Sequence, residues 1–162
     1  MWRSSVTQLR RRGHEVRVLT TDYHAPDPDP DVPEDADVHR ELRWYWRDHA
    51  WPRLSLRERW RLERHNLKTL ERHLRDLRPD VIAWWAMGGM SMSLIEHARR
   101  RGIRAAAVVV DDWLLYAPRE DQWQRAVGRL GPLRPLAGTV LGVPSKLRFD
   151  HALEWVLVSG VI

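Results

Sequence analysis

Apolar positions along this chain come in short runs, and their spacing switches between the strand period and the helix period. Residues 81–86 are continuously apolar and are entered through Pro79-Asp80; Gly88-Gly89 then break the run. Residues 91–101 have helical spacing and are closed by Gly102, and residues 103–110 form a second continuous run ending on Asp111-Asp112. Strand, glycine turn, helix, strand is a βαβ unit. Neither run alternates with polar residues, which predicts strands buried on both faces of a parallel sheet. Upstream, Trp2, Val6 and Leu9 predict a short amphipathic helix over 1–12 that Gly13 ends, followed by a strand over 15–20. Residues 38–46 alternate, with Val38, Leu42, Trp44 and Trp46 on one side and Tyr45 among the residues on the other, as in a half-buried edge strand. Leu56, Trp60, Leu67, Leu70, Leu74 and Leu77 mark one face of a long helix. Ser55-x-x-Glu58 opens that helix as a capping box and Pro79 stops it. Ser93-x-x-Glu96 predicts a second capping box. A further helix over 118–130 would bury Trp123, Ala126, Val127 and Leu130, and a last strand falls at 155–159. Residues 131–144, rich in glycine and proline, receive no assignment.

The alternation predicts an α/β fold, a Rossmann-like open parallel sheet flanked by helices, in one domain over 1–162. Residues 24–37, where prolines interleave with acids, are expected to form a flexible loop within it. A helix before the first strand is an unusual start for such a domain.

Composition adds limits. Hydrophobic residues make up 43% and charged residues 30% of the chain, as in a soluble globular protein. No cysteine is present, so thiolate chemistry and disulfides are excluded; with no secretory leader pattern at the N-terminus, a cytoplasmic protein is expected. A net charge of +5 fits an anionic partner or simply a solvated basic surface. Nucleic acid is not expected, because no run of five like charges exists and Glu58, Glu63, Glu71 and Asp76 interleave with the arginines of the long helix. Ten tryptophans against one phenylalanine imply that several indoles are partly exposed or line a cleft.

Ligands of open parallel sheets sit beyond the carboxyl ends of the strands. That places Met87, Gly88, Gly89 and Met90 beside Asp111, Asp112, Trp113 and Tyr116. The glycine turn could receive an anion on backbone amides, or could simply permit close helix packing. Asp111 or Asp112 could orient a hydroxyl or take its proton, or could cap the next turn. Eight scattered histidines, with His65 and His73 on the charged side of the long helix, give no zinc pattern, and no G-x-S-x-G elbow occurs.

The segments RRRGHEVRVLTTDY, LRPDVIAWWAMGGMSMSLIEHARRRGIRAAAVVVDDWLLYAPR and EWVLVS, in that order, resemble the N-terminal domain of GT-B fold glycosyltransferases of family 4, the subfamily 4-like group. The resemblance implies a retaining transferase that moves a sugar from a nucleotide-sugar donor without a required metal or bound cofactor. It implies an acceptor, a sugar or a lipid-linked sugar, held against the loops at 87–90 and 111–116, with peripheral contact to the inner face of a membrane. Many members carry a catalytic histidine where this chain has Val110-Asp111-Asp112. The family's first strand with its G-G-x-E loop would precede Met1, and the donor-gripping domain would follow Ile162. The resemblance therefore implies a domain cut short at both ends, weakly stable and inactive by itself. A stand-alone Rossmann-like binding module for an anionic small molecule or a protein partner is the other reading.

Overall fold

The structure, a computed structural model, describes residues 2–24, 37–46, 50–109 and 112–148, with the backbone alone of 153–157. The chain divides into two compact units, Met1–Leu42 and Arg43–Ile162.

In the first unit, helix α1 (Trp2–Arg11) carries Arg10 and Arg11 in its last turn, where cations suit the helix dipole. Gly13 follows at φ +84°, a left-handed conformation that costs glycine nothing. Arg10 then reaches forward, donating to Val16 O at 3.0 Å and pairing with Asp37 at 3.1 Å. Strand β1 (Val18–Thr21) pairs in parallel with β2 (Val38–Leu42), with a register shift between Thr20 and Thr21. Leu42 is the one buried hydrophobic residue among those described in this unit, so its core is thin. The alternating segment leaves the sheet at Leu42, earlier than its pattern predicts, and residues 25–36 lie outside those described.

The second unit holds the larger core. Helix α2 (Leu56–Leu77) has its capping box formed both ways: Ser55 N donates to Glu58 Oε2 at 2.7 Å, and Glu58 N donates to Ser55 Oγ at 3.3 Å. It ends at Arg78, left-handed at φ 49°, just before Pro79. Strands β3 (Val81–Trp85), β4 (Arg104–Val109) and β5 (Leu153–Leu157) form a parallel sheet with β4 central. Helix α3 (Ser93–Arg100) connects β3 to β4. After β4 come α4 (Trp113–Glu120), α5 (Gln122–Gly128), a 3-10 turn (Gly131–Leu133) and α6 (Arg134–Leu141), closed by Gly142 at φ +62°. The fold is the expected Rossmann-like α/β arrangement, with its parallel strands in two small sheets.

Several expectations change. Among the described residues β3 pairs on one side only, and Val81 is 59% exposed, so its apolar run is that of an edge strand. The helix expected over 118–130 is two helices, because Asp121 leaves helical geometry (φ −58°, ψ 107°) and caps α5 by accepting from Gln124 N at 2.8 Å. Leu130 is consequently exposed rather than buried. The second capping box does not form: Glu96 turns away from the start of α3 to bind Arg99 and Arg100. Residues 131–144, unassigned from sequence, contain α6.

Candidate functional site

The turn after β3 lies at the carboxyl edge of the sheet, beside the end of β4. Ala86 enters it at φ 42°, a conformation uncommon for a residue with a Cβ. Met90 N donates to Met87 O at 3.0 Å and closes the turn. Segment 43–46 holds it from one side: Trp44 Nε1 donates to Gly88 O at 3.2 Å and Tyr45 N donates to Gly89 O at 3.1 Å. From the other side comes Tyr116 of α4, its hydroxyl against Gly88. A Cβ on Gly88 would lie 2.2 Å from Tyr116 Oη, and one on Gly89 would lie 2.1 Å from Trp44 Nε1. Both glycines are therefore required by close approach, and Gly89 also by its φ of +76°.

The sequence-predicted residues divide by exposure. Met87, Met90 and Trp113 are buried, and Trp113 Nε1 donates to Val108 O at 3.2 Å, which makes these three packing groups. Gly88 and Tyr116 are half-buried, and Asp112 is exposed at the start of α4. Asp112 makes no side-chain cap; its carbonyl accepts from Leu115 N at 2.8 Å, so the carboxylate is not spent on that turn. Asp111 lies outside the described residues.

Beneath the turn lies a buried polar chain that sequence reading misses. Tyr45 Oη donates to Glu63 Oε1 at 2.6 Å, and Glu63 Oε2 is bonded by Ser93 Oγ. Ser93 Oγ is 2.9 Å from Ser91 Oγ, which in turn lies 3.3 Å from Asp121 Oδ2. Asp121 Oδ2 accepts from Met92 N at 2.8 Å and its Oδ1 from Gln124 N at 2.8 Å. One carboxylate thus sits at the N-termini of both α3 and α5. The amide cradle that could have received an external anion is filled by the protein's own Asp121. That outcome favours the packing reading of Gly88-Gly89.

The two carboxyls differ in charge state. Burial, then the nearby Asp121 charge, raises Glu63 to about 8 despite the hydroxyls that bond it. Burial raises Asp121 to about 6, opposed by the amides that bond it. Of the two, Glu63 is pushed further toward holding its proton, while Asp121 has the amides of Met92, Trp123 and Gln124 favouring its charged form. The Tyr45 hydroxyl is pushed up by burial and by Glu63, so it stays a donor. The network ties Tyr45, α2, the start of α3 and Asp121 at the start of α5 together.

Glu63 and His73, expected on the charged face of α2, are in fact buried on its inner face with Asn66, Leu67 and Leu70, while Leu56 is exposed. Asn66 grips the connecting segment in strand fashion, accepting from Arg43 N at 2.8 Å and donating to Arg43 O at 2.9 Å.

Residues 1–142 match the family described as glycosyl transferase 4-like domain. The chain belongs to that glycosyl transferase 4-like family. Neither a curated protein nor a solved structure matches it. Membership carries glycosyltransferase-type function at the level of the family, and the resemblance read from the R-G-H-E-V-x-V-L-T and P-D-V segments falls within the matched residues.

Proposed function

We propose that this glycosyl transferase 4-like chain supplies the acceptor-side wall of the cleft of a retaining transferase that takes its sugar from a nucleotide-sugar donor. Asp112, with Tyr116 and the backbone of Gly88, faces the acceptor; Asp112 accepts a hydrogen bond from an acceptor hydroxyl and orients it. The observation that carries the reading is the exposed Asp112 carboxylate, free of a cap bond, on the same helix as the Tyr116 hydroxyl that touches the glycine turn. The family match over 1–142 supplies the reaction class. In this reading donor gripping falls to a second Rossmann-like unit of the transferase.

The alternative binding module for an anionic ligand loses its best site, because Asp121 already occupies the amides at the start of α3. Saturation-transfer NMR with the 162-residue chain tests the proposal. Mono- and oligosaccharides should give signals that Asp112→Asn weakens at least several-fold, while nucleotide sugars give none. Tight nucleotide-sugar binding with no saccharide signal, or multiple-turnover sugar transfer by the chain alone, would overturn it.

A further inference from the structure

Both ends of the glycine turn are tied to one buried row of side chains. Upstream, Tyr45 donates to Gly89 O from its backbone N and to Glu63 Oε1 from its hydroxyl. Downstream, Met92 N donates to Asp121 Oδ2, just after the turn closes at Met90. Asp121 N also donates to Ala117 O at 2.9 Å, at the end of α4, the helix that carries Tyr116 and follows Asp112. Each piece of the acceptor wall therefore hangs on Glu63 or on Asp121.

Hydroxyls alone join these carboxyls. Glu63 Oε2 meets Ser93 Oγ, which lies 2.9 Å from Ser91 Oγ, and Ser91 Oγ lies 3.3 Å from Asp121 Oδ2. All four side chains are buried. A hydroxyl hydrogen turns to suit its partners, so the row can point either way. With the proton on Glu63 the row donates toward the Asp121 carboxylate; with the proton on Asp121 it donates toward the Glu63 carboxylate. In passing from one to the other, the proton leaves one carboxyl oxygen and each serine gives up a hydrogen as it gains another. A proton then arrives on the far carboxyl, both serines end as they began, and the row keeps a single negative charge. The amides of Met92, Trp123 and Gln124 bias that charge toward Asp121. The other groups facing the row are the Tyr45 hydroxyl, a donor, and Arg59 of α2, which bonds Gln122 O at 3.1 Å and whose field reaches Tyr45. Two negative charges in this interior would repel strongly, and none would leave the starts of α3 and α5 without their anion.

We propose that Glu63 and Asp121 share one proton through Ser93 and Ser91, and that this singly charged row holds the glycine turn in place. Gaining a second proton, or losing the shared one, loosens the turn and so gates the acceptor site. The gating of an acceptor rests on the proposed function; the sharing of the proton and its hold on the turn do not.

NMR of the 162-residue chain, titrated from about pH 4 to about pH 10, tests this. The Tyr45 and Gly89 amides report the Glu63 end, the Met92 and Gln124 amides the Asp121 end, and the Trp44 indole N–H, bonded to Gly88 O, the turn. Titration steps of linked groups belong to the pair, so both ends should show both steps, and the indole should shift on either side of the singly charged state. Ser93→Ala cuts the row but leaves both carboxyls, and the far-end step should shrink several-fold at each end. Ser91→Ala should do the same, and either variant decides the matter if its spectrum stays dispersed as in the native chain. Native ends that each show only their own step would overturn the proposal, as would ends or an indole that do not titrate, or alanine variants that keep both steps at both ends. Saturation-transfer signals from saccharides should peak in the singly charged state and fall several-fold to either side; signals level through both steps would overturn the gating. Saccharides that give no signal at any pH would sink the acceptor reading instead, while the amides and the indole still decide the shared proton.

Discussion

Glu63→Gln tests the buried network most directly. Glutamine keeps the shape of a protonated glutamic acid: its carbonyl accepts from Tyr45 Oη, and the Ser93 hydroxyl, which donates to Glu63 Oε2, turns to accept from its amide, but glutamine cannot ionise. In the unfolded chain Glu63 ionises near its ordinary value of 4.5; in the fold it is raised to about 8. Between those values the folded protein binds one more proton than the unfolded one, so stability falls as pH rises. The contribution is fully present below pH 4.5 and gone above 8. Each pH unit costs about 1.4 kcal/mol, so keeping the proton at pH 7 costs about 3 kcal/mol. Glutamine carries no such cost. Urea unfolding of the native protein and the Glu63→Gln variant at about pH 4.5, 6 and 7.5 should show near-equal midpoints at the lowest pH. The variant should gain a lead of about 2–4 kcal/mol at the highest. A difference that stays flat with pH would refute the assignment of a buried proton to Glu63; so would a variant that weakens as pH rises.

Other substitutions read other parts of the structure. Asp121→Ala strips the shared carboxylate from two helix starts and should lower stability by about 2–4 kcal/mol in urea unfolding, with Asp121→Asn falling between. Gly89→Ala should cost more than Gly88→Ala in thermal unfolding, since it faces both a positive φ and the Trp44 indole. Removing the hydroxyl with Tyr116→Phe should recover part of the Gly88→Ala loss, because Tyr116 Oη is the nearest atom to the added methyl. Asn66→Ala should cost about 2–3 kcal/mol and speed amide exchange at Arg43, whose N–H donates to the Asn66 side chain.

The elements with strong local signals are legible in the sequence. The long helix with its Ser55-Glu58 box, the βαβ unit around Gly88-Gly89 and the parallel pairing of its strands all appear where periodicity puts them. Boundaries fail where one residue turns the backbone. Asp121 splits a helix that its apolar spacing would continue, and capping chemistry outweighs periodicity there. The inner face of α2 is misread when its leucines are weighted and its acids are assumed to be solvated. Glu63 nonetheless sits at the heptad position between Leu56 and Leu70, a signal of burial present in the spacing. Tyr45 turns inward for a reason no alternation pattern contains: its partner, Glu63, comes from a helix eighteen residues away. Tryptophans in such number suggest a cleft lining. Of those with described side chains none is fully exposed, and four, at 44, 60, 113 and 123, donate to backbone carbonyls of other segments.

The chain of side chains from Tyr45 through Glu63, Ser93 and Ser91 to Asp121 also constrains how this sequence can drift. Replacing one member strands a buried charge or hydroxyl, while replacing the set with apolar groups of similar volume need not destabilise. These five positions should therefore vary together or not at all. A relative that has lost Glu63 is expected to have lost Tyr45 and Ser93 as well, and to hold its glycine turn by other means.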